Sequence, residues 1–104
     1  MKALEFIGSS LGDLRAFPTE SRRAAGFNLW QVQQGLAPED FRPLPRIAPG
    51  VLELRIHGLS EWRVIYVAKF EDTVYVLHAF QKKTRRTRLK DLELARQRFR
   101  QIRR

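Results

Sequence analysis

One stretch decides the fold of this 104-residue chain: 51-VLELRIHGLSEWRVIYVAKFEDTVYVLHAFQ-81. Its β-branched and aromatic residues predict three strands, at Val51–His57, Trp62–Phe70 and Thr73–Gln81. Gly58-Leu59-Ser60 supplies turn residues between the first two strands, and Glu71-Asp72 separates the second strand from the third. Two short connections in succession predict an antiparallel meander of two hairpins.

The two turns also predict the register of the hairpins. A turn centred on Leu59 pairs Arg55 with Arg63, and a turn at Glu71-Asp72 pairs Arg63 with Phe80. Because side chains alternate along a strand, the predicted sheet has two distinct faces. The apolar face, which we expect to be the core, carries Leu52, Leu54, Ile56, Trp62, Val64, Tyr66, Ala68, Tyr75, Leu77 and Ala79. The opposite face carries Glu53, Arg55, Arg63, Ile65, Val67, Val76, His78, Phe80 and Lys82.

The flanking stretches add one strand and three helices. Residues 3–7 are predicted to be an edge strand, residues 11–16 a short helix and residues 18–35 a second helix. The core-facing stripe of the second helix is Ala25, Leu29, Val32 and Leu36. Residues 38–49 hold four of the five prolines and are predicted to be an irregular connector, and residues 88–102 form a closing helix.

The resulting element order, βααβββα, predicts one α+β domain over residues 1–104. We expect a twisted, mainly antiparallel sheet with the helices packed on one face. A hydrophobic content of 43% with eleven aromatic residues is enough for one modest core.

The basic charge of the chain is concentrated at its C-terminal end. The net charge is +9 at neutral pH. Residues 82–104 carry eleven Lys and Arg against two acids, whereas residues 1–81 carry nine bases and nine acids. A cation cluster at the end of a strand is a site for polyanions, most commonly nucleic acid.

The composition excludes several classes of site. The chain has no cysteine, which excludes disulfides and thiolate metal sites and is typical of a reducing cytoplasm. Its two histidines are too few for most zinc sites. No apolar run approaches the roughly 18–20 residues of a membrane span. We therefore expect a cytoplasmic protein without a metal, a cofactor or a membrane segment.

The polar face of the predicted sheet contains a candidate anion site. Arg55, Arg63 and Phe80 form its middle row, and Lys82 follows on the third strand. Like charges directly opposite each other destabilise a sheet, so a function would explain the two arginines. Guanidinium groups bind phosphate, and an aromatic ring stacks on a base. The structural alternative is that Arg55 pairs with a neighbouring glutamate and that Arg63 lies flat on a solvated surface.

Four stretches of the chain resemble RelE/HigB-type toxins of bacterial type II toxin–antitoxin systems, in their phage-derived subgroup. They are PGVLELRI at residues 49–56, WRVIY at 62–66, LHAFQKKT at 77–84 and DLELA at 91–95. The third stretch is the most specific of the four. This chain continues with RRTR at 85–88, where the family usually has x-Lys-Thr-Pro. Arginine in place of lysine keeps the charge, and the missing proline changes how the last helix begins.

The resemblance implies a RelE-like fold and a ribosome-dependent mRNA endonuclease, or mRNA interferase, that uses no metal. In this reaction the ribose 2′-hydroxyl attacks the adjacent phosphate, so the protein aligns the groups, stabilises charge and moves protons. Arg55 and Arg63 are the candidates for charge stabilisation, and Lys82 or His78 for proton transfer. The candidate RNA-binding residues are Phe80, Lys83, Thr84, Arg85, Arg86 and Arg88.

The resemblance also implies partners and leaves two alternatives open. The partners are the ribosome with its mRNA and a cognate antitoxin that has a helix-turn-helix domain. One alternative is a ParE-like toxin that poisons DNA gyrase, although such chains usually lack the Lys-Lys-Thr block. The other is a non-catalytic RNA-binding module, which needs the basic surface but not the cluster of Arg55, Arg63 and Lys82.

Overall fold

A computed structural model describes residues 1–103 of the chain, and within them five strands and three helices form an α+β fold, as predicted. The elements are β1 Ala3–Phe6, α1 Ser10–Arg15, α2 Thr19–Gln33, β2 Phe41–Pro43, β3 Val51–His57, β4 Glu61–Val67, β5 Thr73–Lys82 and α3 Leu89–Phe99. The strands form one sheet in the order β1-β5-β4-β3-β2. β1 is an edge strand parallel to β5, and the other neighbours are antiparallel. Within residues 1–103, no helix combines the length and apolarity needed to cross a bilayer.

The predicted register is confirmed where the two hairpins meet. Arg55 lies opposite Arg63, and Arg63 lies opposite Phe80. Further along, a bulge leaves Leu77 without a partner, because Ile65 pairs with His78 while Tyr66 pairs with Val76. The bulge reverses the alternation in the first half of β5, so the faces predicted for Tyr75, Val76 and Leu77 were wrong.

The sheet is covered by helices on both faces. The first core cluster joins the sheet to α1 and α2 through Leu14, Phe17, Ala25, Leu29, Val32, Leu54, Ile56, Val64, Tyr66, Val74, Val76 and Ala79. The second joins it to α3 through Ile47, Val51, Ile65, Val67, Tyr75, Leu77, Leu92 and Ala95. The prediction of helices on one face was therefore wrong for α3. The face predicted to be polar carries enough apolar side chains, once the bulge is counted, to require its own helix.

The segment between α2 and β3 contains more regular secondary structure than predicted. α2 ends at Gln33, and Gly35 takes the positive φ of +83° that commonly ends a helix. Leu36, predicted to face the core, is consequently outside the helix and exposed. The proline-rich connector was predicted to be irregular, but it contains β2, where Phe41 pairs with Leu54. Pro43 is tolerated there because β2 is an edge strand.

The helix α3 is fixed to the sheet by polar contacts as well as by its apolar side. Arg98 is buried; its Nη1 donates to the carbonyl oxygen of Leu77 at 2.9 Å, and its Nη2 donates to Ser9 Oγ at 2.9 Å. His78 Nε2 lies 2.8 Å from Asp91 Oδ1 in the first turn of α3. The Asp91 contact holds the first turn of α3 on the sheet and the Arg98 contacts hold its last turn, so α3 forms a fixed wall of the site described next.

A basic cleft as the candidate functional site

A cleft of about 450 Å³ opens where four segments of the chain meet. These segments are the connector around β2, the strand β3, the end of β5 with the loop that follows it, and the start of α3. The lining residues are Arg42, Pro43, Leu44, Pro45, Arg46, Glu53, Arg55, Lys82, Arg85, Arg86, Thr87, Leu89 and Leu92. We call this feature the basic cleft.

Cations dominate the lining of the basic cleft. Six of its thirteen residues are Arg or Lys, and Glu53 is its one acid. Leucine and proline side chains form much of the remaining wall. A cleft with one sign of charge and low-dielectric walls concentrates its electric field and attracts ligands of the opposite charge. The lining of the basic cleft is therefore chemically suited to a polyanion with several phosphate groups.

Arg55 is the arginine of the predicted row that reaches the basic cleft. It is half-buried, and its buried Nε has no hydrogen-bond partner among the described residues. A guanidinium group carries five donors in a planar fork that matches a phosphate. The arrangement thus leaves Arg55 with donor capacity for a phosphate in the cleft.

Arg63 was predicted on an exposed polar face, and that prediction was wrong although its register was right. Its side chain is only 2% exposed. Nη1 donates to Glu61 Oε1 at 3.1 Å and to the carbonyl oxygen of Trp62 at 3.0 Å, while Nε lies 3.8 Å from Glu53 Oε1. The glutamates that were considered as partners for Arg55 thus neutralise Arg63 instead. Arg63 is not part of the cleft lining, but it forms an ion pair with Glu53, which is.

Three contacts order the loop that carries the basic run. Thr87 Oγ1 donates to Glu53 Oε2 at 3.1 Å, which ties the loop to β3. Lys82 Nζ donates to the carbonyl oxygen of Arg85 at 2.8 Å, and Thr84 Oγ1 donates to that of Arg86. Of the predicted RNA-binding residues in this loop, Arg85 and Arg86 line the cleft. Lys83, Thr84 and Arg88 are exposed beside it.

His78 and Phe80 are drawn into the second core and do not line the cleft. His78 is 6% exposed, and its ring stacks on that of Phe80 with centroids 4.8 Å apart. Its Nε2 contacts Asp91, as described above, and its Nδ1 is buried without a partner among the described residues. Phe80 is half-buried against the α3 side of the sheet. The structure thus gives both rings packing contacts, away from the residues that line the cleft.

Sequence reasoning missed Arg42, Arg46, Glu53 and Thr87 as lining residues of the cleft. Arg42 lies directly opposite Glu53 in the β2–β3 pairing. The backbone carbonyl of Arg46 accepts from Arg96 Nη2 at 2.9 Å, which fixes the connector to α3. The available signal was the pair of arginines in Arg42-Pro43-Leu44-Pro45-Arg46, since prolines hold a short segment extended.

A second polar cluster fastens the connector to the β3–β4 hairpin. His57 Nε2 lies 2.6 Å from Asp40 Oδ2, and His57 Nδ1 lies 2.8 Å from Glu61 Oε1. The hydrogen bonds to Asp40 and then to Glu61 raise the pKa of His57 above its ordinary 6.5, and the same contacts lower the pKa of each carboxyl group. Because Glu61 also contacts Arg63, a polar chain runs from the connector to Glu53 beneath the cleft.

The comparison with known proteins gives a family. The family model described as "Phage derived protein Gp49-like" matches residues 12–100, which include every element from α2 to α3 and all lining residues of the basic cleft. A search of curated proteins found no significant match. This match supports the predicted resemblance to RelE/HigB-like toxins at the level of the family and does not extend to the HigB subgroup. The chain belongs to the Gp49-like family of phage-derived proteins.

Proposed function

We propose that this protein is the toxin of a type II toxin–antitoxin system and that it cleaves mRNA on the ribosome. The observation that carries the proposal is the basic cleft, which gathers Arg55 and five other cations. Family membership supports the toxin role. The cleavage activity and its dependence on the ribosome are the proposal itself.

The chemistry of the cleft suits transesterification by an RNA 2′-hydroxyl. The phosphoryl group gains negative charge in the transition state, and fixed cations stabilise that charge without reorganising. Arg55 is suited to this role because its donors are not all engaged within the protein. Lys82, which also lines the cleft, is suited to protonating the 5′-oxygen that leaves.

The distribution of cations in the lining of the cleft suits a strand of RNA better than a single phosphate. Arg42 and Arg46 line it from the connector, and Arg85 and Arg86 line it from the loop after β5. A polynucleotide presents phosphates at regular intervals, and their neutralisation gives binding that weakens steeply with salt. Contacts on both sides of Arg55 would position the phosphates that flank the cleaved one.

The antitoxin is a second part of this proposal. We expect a protein with a helix-turn-helix domain and an acidic segment that covers part of the basic cleft, including Arg55 and Lys82. An apolar surface on α2 also suits a protein partner, since Phe27 and Trp30 are about half exposed and their ring centroids lie 6.1 Å apart. Charge complementarity between the partners would speed their association.

Cleavage mapping in a translating extract tests the proposed activity. We expect the wild-type protein to cut ribosome-bound mRNA, leaving 5′-hydroxyl ends, and to spare the same RNA when it is free. Arg55→Ala and Lys82→Ala are each expected to lower the cleavage rate by about 10²–10³. Lys90→Ala is the matched control, because Lys90 belongs to the same basic block, is exposed and lies outside the cleft lining. Growth arrest without any RNA cleavage, or full activity of the Arg55→Ala variant, would contradict the proposal.

A further inference from the structure

The basic cleft contains one carboxylate, and its position is unusual. Glu53 lies in β3 with 4% of its surface exposed, yet it is part of the cleft lining. A buried acid among cations is often only a structural counter-charge. Two observations point to a chemical role as well. Neighbouring groups orient the Glu53 carboxylate, and the lining of the cleft contains no other suitable base.

The side chains of Thr87 and Arg63 contact the two carboxylate oxygens of Glu53. Oε2 accepts a hydrogen bond from Thr87 Oγ1 at 3.1 Å. Oε1 lies 3.8 Å from Arg63 Nε, which is within ion-pair distance but longer than a hydrogen bond. Glu53 is thus oriented by two neighbours while Oε1 keeps lone pairs for a third group. Fixed orientation by neighbouring groups is what a general base requires.

The other groups that line the cleft are unsuited to accept a proton. Arginine stays protonated in proteins and has no acceptor. Lys82 Nζ serves as a donor to the carbonyl oxygen of Arg85, and Thr87 directs its proton to Glu53. His78, the other candidate from the sequence, is packed against Asp91 and Phe80 outside the lining.

We propose that Glu53 is the general base that removes the proton from the attacking 2′-hydroxyl, an inference that rests on the proposed RNA cleavage. The 2′-oxygen gives its proton to Glu53 Oε1 and forms a bond to the adjacent phosphorus. The bond from phosphorus to the 5′-oxygen breaks, and that oxygen takes a proton from the Lys82 ammonium. The products are a 2′,3′-cyclic phosphate and a 5′-hydroxyl end, and solvent restores both protein groups.

A comparison of Glu53→Gln with Glu61→Gln separates the chemical role from the structural one. Both acids neutralise Arg63, but Glu53 lines the cleft and Glu61 does not. We would measure single-turnover cleavage of end-labelled mRNA on purified ribosomes at neutral pH, with thermal unfolding of each variant as the folding control. Glu53→Gln is expected to lower the rate by about 10²–10⁴. Glu61→Gln is expected to keep the rate within a few-fold of the wild-type rate.

The remaining outcomes are also decisive. Partial recovery of the rate in Glu53→Asp, which keeps a carboxylate, would support the proposal even if Glu53→Gln folds poorly. Equal rates for Glu53→Gln and Glu61→Gln would overturn the role of Glu53 and leave RNA cleavage intact. A wild-type protein that does not cleave ribosome-bound mRNA would instead overturn the proposed function.

Discussion

Replacing Arg63 by methionine is expected to destabilise the protein far more than replacing its partner in the register, Arg55. Arg63 is 2% exposed, and its loss leaves Glu53 buried without its counter-charge. Removing one member of a buried ion pair typically lowers the free energy of unfolding by 3–5 kcal/mol, so we expect about 3 kcal/mol. The value falls at the low end because the change also relieves the repulsion between Arg55 and Arg63. The lost contact between Arg63 and Glu61 adds little to this loss of stability, because the Glu61 side chain is 41% exposed.

Urea denaturation with linear extrapolation measures this effect. For a domain of this size, a loss of about 3 kcal/mol lowers the melting temperature by roughly 12–24 °C. Arg55→Met is the matched control and is expected to change stability by less than about 1 kcal/mol, because Arg55 is half-buried beside the cleft. The double variant Arg63→Met/Glu53→Leu removes both charges and should recover most of the loss.

Two results would refute the reasoning about Arg63. One is an Arg63→Met variant as stable as the wild type, and the other is a double variant no more stable than Arg63→Met alone. The prediction also has a practical consequence for toxicity assays. Loss of growth inhibition on substitution of Arg63 reports stability as well as chemistry, so it is interpretable only beside an unfolding curve.

Two further predictions concern pH and the partner. The raised pKa of His57 means that its ion pairs stabilise the fold fully below pH 6.5 and lose this effect as pH rises through the folded-state value. His57→Gln should therefore destabilise the protein more in mildly acidic than in alkaline buffer at low salt, and an equal loss in both would contradict the assignment. Co-expression with a helix-turn-helix protein encoded nearby should yield a complex in pull-down and rescue growth, and its on-rate should fall with salt. Trp30→Ser should weaken that complex, and a lack of both complex and rescue would argue against an antitoxin.

The row of Arg55, Arg63 and Phe80 was predictable from sequence. Counting residues outward from residues 58–60 pairs Arg55 with Arg63, and counting outward from residues 71–72 pairs Arg63 with Phe80, as the structure has them. The bulge at Leu77 was not predictable in this way, because an unpaired residue leaves no mark on an apolar run of this length. The face assignments of Tyr75, Val76 and Leu77, between the turn at residues 71–72 and the bulge, were consequently reversed.

The candidate site was only half predictable, for a different reason. Arg55, Lys82, Arg85 and Arg86 lie in segments whose basic character is plain from the sequence, and the structure brings them to one cleft. Their exposure depends on where α3 packs, and this is a long-range property of the fold. The same packing buries Arg63 and His78, which the alternation of side chains alone placed on an open surface.

The two edges of the sheet bear on how the protein behaves at high concentration. Exposed strand edges are templates for pairing between chains, and long apolar edges promote aggregation. Here the long strands β3, β4 and β5 lie inside the sheet, while the edges are β1 with four residues and β2 with three. Pro43 removes one amide donor from the β2 edge. The chain thus keeps its most amyloid-prone segments paired, which limits strand pairing between copies of the protein at high concentration.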